Sequence, residues 1–143
     1  MQVVIEVVRD RIQAAYVIVV GVVMIGFWAR LYITEQIPGL STAPYEIGYH
    51  LVAEFLTAVA LVGAGIGLVR GHGWSQRLYP VAFGMLLYTV INSTGYYVQL
   101  GDIAIVGMFT VLTVATLVLL VEYLITGART VESDVEQAGD LDA

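Results

Sequence analysis

Three stretches of this chain, Ile12 to Ala29, Leu78 to Tyr97 and Ile103 to Val121, hold no charged residue, and a fourth, Ile47 to Val69, holds a single acid. A helix rises about 1.5 Å per residue, so apolar runs of about 20 residues match the ~30 Å hydrocarbon thickness of a bilayer. The expected fold is therefore all-α and integral to a membrane, with four transmembrane helices at about 13–32, 47–69, 78–97 and 103–125. Short connections make consecutive helices antiparallel neighbours, which predicts an up-down-up-down bundle.

Composition points the same way and limits the chemistry. Hydrophobic residues are 59% of the chain, charged residues 13% and the mean hydropathy is +0.85, against about 25% charged residues in a soluble domain. The four spans use most of the length, so residues 1–129 form one transmembrane domain and no large soluble domain is expected. Cysteine is absent, which excludes disulfides, thiolate metal sites and redox dithiols. Every cation is an arginine, which excludes a lysine Schiff-base cofactor on this chain. No cofactor and no nucleic-acid partner are expected. The net charge of -6, with an acidic tail, fits the salt-rich cytoplasm of a halophilic archaeon.

The connections set the topology. Met1 to Arg11 places its charges after its apolar residues, the reverse of a signal peptide, and reads as a surface segment or an extension of the first helix. Trp28, Arg30 and Tyr32 are anchors of the interfacial kind. Pro38-Gly39 marks a turn in the longest polar connection, Gly71 and Gly73 end the second span, and Pro80 falls in the first turn of the third, where its missing N–H is harmless. Thr130 to Ala143 carries five acids and little apolar bulk, the composition of a disordered tail. With four spans, Arg9, Arg11, Arg70, Arg77 and Arg129 share one side and Arg30 stands alone on the other. The positive-inside rule then places both termini in the cytoplasm of a multi-pass cell-membrane protein.

The second span carries His50 and Glu54, and an ionisable group inside a span is by default a candidate functional site. Helical rise puts Glu54 about 10 Å below the outer interface, near the depth of Asn92 on the third span and Thr110 on the fourth. His50 and Glu54 are i,i+4, as are Tyr88, Asn92 and Tyr96, so each set shares a helix face. Arg30 is the one cation available on that side. The candidate constellation is thus Arg30, His50, Glu54, Tyr88, Asn92, Tyr96 and Thr110. Its plainest role is structural, a paired carboxylate and an interhelical amide that fix packing; the competing role is binding or proton transfer. Two ligands at i,i+4 make half a zinc site, and His50 could give haem one axial ligand, so no metal is expected. Asn92-Ser93-Thr94 fits a glycosylation acceptor but lies within a span. Gly63 and Gly67, with Gly65 between them, form a small-residue pattern for close helix packing, within or between subunits. Thr110, Thr113 and Thr116 are expected to bond back to their own helix.

The His50-x-x-x-Glu54 pair on the second helix, with the Asn92 amide on a later one, resembles the intramembrane pocket of the sterol-isomerase and sigma-2-receptor (EXPERA) superfamily. That resemblance implies acidic groups that handle a proton or a ligand amine. Three functions stay open. The first is a homo-oligomeric, accessory or scaffold membrane component whose polar cluster is structural, a role that leans away from an enzyme. The second is a pocket that binds or isomerises a small apolar molecule, such as an isoprenoid, quinone or lipid, through His50 and Glu54. The third is a small proton- or ion-coupled transporter titrating Glu54.

Overall fold

The structure is a computed structural model that describes residues 1–37 and 39–141, with the backbone alone for Gln2, Val3, Ile5, Glu6 and residues 127–141. The described residues form four helices joined by turns: α1 (Gln2–Ile33), α2 (Pro44–Val69), α3 (Gly73–Leu100) and α4 (Ile103–Leu141). Three of them contain segments long and apolar enough to cross a membrane, at Val7–Ile33, Pro44–Val69 and Ile103–Thr126. α3 has the length, but Asn92, Ser93, Thr94, Gln99 and its tyrosines dilute its apolar character. Of the four expected spans, the third is therefore the one that composition alone does not carry.

The helices outrun the apolar windows. α1 begins at Gln2, so the N-terminal segment is a continuous extension of the first helix. α3 begins at Gly73, five residues ahead of the expected span. Pro80 is consequently an interior residue and removes one backbone bond from the helix, a correction to its expected place in the first turn. The backbone of α4 stays helical to Leu141, through most of the stretch whose composition predicts disorder. A helix already nucleated in an apolar segment extends by propagation alone, and Val131 to Ala138 contains neither proline nor glycine. Pro38, Asp142 and Ala143 lie outside the described residues.

All three helix exits use one device. In a Schellman motif the residue after the C-cap turns left-handed and two backbone N–H groups bond back to the last turn. After α2, Gly71 (φ 68) donates to the Leu68 carbonyl at 3.1 Å and His72 to that of Gly67 at 2.9 Å. After α3, Gly101 (φ 72) donates to Val98 and Asp102 to Tyr97, both at 3.1 Å. After α1 the left-handed position is held by Glu35 (φ 55), with N–H groups of Glu35 and Gln36 bonded to Tyr32 and Leu31. Asp102 then caps α4, its Oδ1 accepting the Ile105 N–H at 3.1 Å, the usual repair for an orphan donor at a helix start.

The chain divides into two compact units, residues 1–89 and 90–143. In the first, α1 and α2 are antiparallel and nearly touch through glycine. A Cβ on Gly21 would lie 2.8 Å from the Ala58 carbonyl oxygen, and one on Gly65 would lie 2.9 Å from that of Ala14. Around these contacts Ala14, Val17, Ala58, Leu61 and Ala64 are buried, at spacings that keep them on one face of each helix. The first half of α3 folds back on the pair. Trp74 and Ser75 close over Gly67, while the Phe83 ring stacks on Tyr79 at 4.4 Å and meets Tyr16 of α1 at 6.0 Å. In the second unit the Tyr97 ring meets Phe109 of α4 at 5.8 Å.

Candidate functional site

The antiparallel register that sets Gly21 against Ala58 carries Trp28, two turns further along α1, to the level of Glu54. There the Trp28 Nε1–H donates to Glu54 Oε2 at 3.4 Å, a long hydrogen bond. The other carboxylate oxygen, Oε1, lies 3.7 Å from His50 Nε2, one turn back on α2. The imidazole stands edge-on to the indole, with ring centres 5.9 Å apart, so the three side chains form a closed triangle. Glu54 is 7% exposed and the His50 side chain 24%. Each carboxylate oxygen thus faces one nitrogen-bearing ring, and one of the three groups comes from a different helix.

In the sequence Trp28 reads only as an interfacial anchor; the structure also sets its indole N–H against Glu54. The cation expected near the carboxylate, Arg30, is exposed. Positions two apart on a helix point about 200° from one another, so once Trp28 faces α2, Arg30 faces away. The Arg30 backbone carbonyl accepts from Thr34 Oγ1 at 2.9 Å, which belongs to the end of α1 and not to the triangle.

The other residues of the expected constellation are exposed. Tyr88 shares the first unit with His50 and Glu54 but is 68% exposed. It lines a shallow groove of about 400 Å³ with Ala53, Leu56, Thr57, Gly84, Met85 and Thr89. The groove lies between α2 and α3, on a face of α2 adjacent to the one that presents Glu54 to α1. Its two threonine hydroxyls are engaged with backbone, Thr57 Oγ1 donating to the Ala53 carbonyl at 2.8 Å and Thr89 Oγ1 to that of Leu86 at 3.0 Å, so the walls it offers are mostly apolar. Asn92, Tyr96 and Thr110 belong to the second unit and are exposed. Tyr96 meets the Tyr97 ring at 5.3 Å. Thr110 Oγ1 donates to the Val106 carbonyl at 2.8 Å, and Thr113 and Thr116 do likewise to Phe109 and Leu112.

Of the small-residue pattern, Gly65 and Gly67 make the close approaches, to α1 and to the start of α3, whereas a Cβ on Gly63 would meet only Leu78 at 3.8 Å. No group of three or more His, Cys, Asp or Glu with metal-binding geometry occurs among the described residues. The arrangement can hold a buried carboxylate, orient an imidazole against it and join two helices.

No curated protein and no solved structure matches the chain. A family model described as a domain of unknown function (DUF8058) matches residues 7–135, which takes in the triangle, the groove and most of each helix, and the chain belongs to that family.

Proposed function

We propose that this chain is a multi-pass cell-membrane protein acting as a homo-oligomeric or accessory component, in which Trp28, His50 and Glu54 lock α1 to α2. The observation that carries the structural role is the placing of Glu54: one oxygen accepts from Trp28 of α1 and the other faces His50 at 3.7 Å, both within the α1–α2 pair. A substrate-handling carboxylate needs an oxygen turned toward a cavity. α4 supports the partner-dependent role, since Thr116 is its one buried side chain among those described and Met108, Val111, Val114, Val118 and Val121 are each more than half exposed, a face available to lipid or to another helix.

In this proposal α3 is the fourth span, its weaker apolar character offset by packing of Tyr79, Phe83 and Leu86 into the first unit. Both termini are then cytoplasmic, as the arginine distribution favours. Absence of cysteine makes the test clean. A single cysteine at Glu35 is expected to react with an impermeant maleimide from outside, and cysteines at His72 and Ser133 only after the cells are opened. Labelling of Ser133→Cys in intact cells would mean three crossings.

The groove favours a second reading, a site for one small apolar molecule or acyl chain beside Tyr88. Native mass spectrometry from mild detergent, with an absorption spectrum of the same sample, separates the two. An apo oligomer in both wild type and Glu54→Gln is the expected result. A non-protein mass on wild type that disappears in Gly84→Leu, which fills the groove, would replace the scaffold role with the pocket.

A further inference from the structure

The first unit gathers positive charge at the end opposite Glu54. Arg70 follows the last residue of α2 and is exposed, Arg77 is exposed in the second turn of α3, and Arg11 is exposed on α1. The register that pairs Trp28 with Glu54 and Ala14 with Gly65 sets Arg11 within about one helical turn of Arg70 along the helix axes. Arg77, about a turn and a half further in, has a stem long enough to carry its guanidinium back to that level. Among the described residues none of the three forms an ion pair; the neighbouring Arg9 has Asp10 at 3.4 Å.

A ligand for this end must supply acceptors, because a guanidinium offers five donors and no acceptor. Free phosphate would satisfy that requirement, but the surroundings suit an amphiphile. Ile12 and Val69, next to Arg11 and Arg70, are 58% and 66% exposed, and Trp74, 52% exposed beside the His72 ring, is a side chain of headgroup depth. We propose that Arg11, Arg70 and Arg77 hold the headgroup phosphates of anionic phospholipids in the leaflet facing this end. This rests on the membrane assignment made above.

The test uses the full chain in mild detergent, with dioleoyl-phosphatidylglycerol and dioleoyl-phosphatidylcholine supplied in equal amounts and lipid adducts counted by native mass spectrometry. Each arginine near an anionic surface contributes roughly a fivefold preference. The pair Arg70→Gln/Arg77→Gln is therefore expected to lower the phosphatidylglycerol preference about twentyfold, while Arg30→Gln at the other end leaves it unchanged. Arg70→Lys/Arg77→Lys is expected to retain most of the preference, which shows that charge was removed and not the fold. Equal retention of the two lipids by wild type, loss in both the Gln and Lys pairs, or displacement of the lipid by millimolar inorganic phosphate would each overturn the proposal. Alkaline carbonate washing of native membranes reads the membrane assignment separately: release of the chain defeats both, whereas retention with no lipid preference defeats this proposal alone.

Discussion

α2 and α4 both contain an apolar segment of membrane-crossing length, yet they use it in opposite ways. α2 buries Glu54, Thr57, Ala58, Leu61, Ala64, Gly65 and Gly67, a continuous stripe at helical spacing that runs from the carboxylate to the turn before α3. α4 buries Thr116 alone among its described side chains. Apolarity cannot be the source of the difference, because both helices have it. Where the surrounding medium is as apolar as the side chains, helices associate through close backbone approach and interhelical hydrogen bonds. α2 has glycine and alanine on one face and a carboxylate in line with them, while the threonines of α4 bond to their own backbone. The packing face of α2 is built to be recognised by a helix of its own unit, whereas the α4 threonines spend their donors within α4.

The largest effect is expected where that contrast is sharpest. A Cβ at Gly65 would press on the Ala14 carbonyl oxygen at 2.9 Å and on Ile18 at 2.5 Å, whereas one at Gly107 of α4 meets nothing within 4 Å. Gly65→Ala should destabilise the fold by about 1–3 kcal/mol, the range for overpacking, because backbone cannot move aside as a side-chain tip can. Gly107→Ala should be neutral or stabilising by up to about 1 kcal/mol, the helix-propensity gain. Unfolding in increasing mole fractions of dodecyl sulfate measures both. Equal losses in the two variants would erase the distinction between the helices.

The polar end of the α2 stripe should respond next. Trp28→Phe keeps the ring and removes the N–H, leaving a buried carboxylate oxygen with one partner fewer, at a cost of about 1–2 kcal/mol. Combined with Glu54→Gln in a double-mutant cycle, the two changes should be coupled, since the residues touch. Additive losses would mean that Trp28 contributes by packing alone.

Much of this was open to reading before any coordinates. Charge-free runs fixed the number and order of the helices, and the i,i+4 spacing of His50 and Glu54 brought the pair together because both lie on one helix. Trp28 was hidden for the converse reason. Its contact with Glu54 spans 26 residues and depends on the α1–α2 register, which the close approaches at Gly21 and Gly65 set. Depth along a span is one coordinate of three and says nothing about which way a side chain faces, so Tyr88, grouped with Glu54 by depth and spacing, turns out 68% exposed. Helix ends were obscured differently, since hydropathy detects where lipid would begin and not where backbone hydrogen bonding stops.

One such end gives a smaller prediction. Gly71 and Gly101 hold the left-handed positions after α2 and α3, and Glu35 holds the third. A side chain there is strained by about 1 kcal/mol, because Cβ crowds the following carbonyl. Glu35→Gly should raise stability by up to that amount in the same denaturation assay, although it removes a side chain and adds freedom to the unfolded chain. A loss would mean that the Glu35 side chain makes a compensating contact at this turn.

The smallest effect should fall on α4. Val114 and Val118 lie one turn apart and are 56% and 61% exposed, so shortening both to alanine leaves no internal cavity and should change the stability of a single chain by no more than about 0.5 kcal/mol. If α4 is the surface through which copies associate, the same pair should shift the oligomer mass in native spectrometry while the unfolding curve stays in place. A large loss of single-chain stability would show that α4 is packed against its own chain after all, and would remove the contrast with α2. Unchanged mass with unchanged stability would assign that face to lipid.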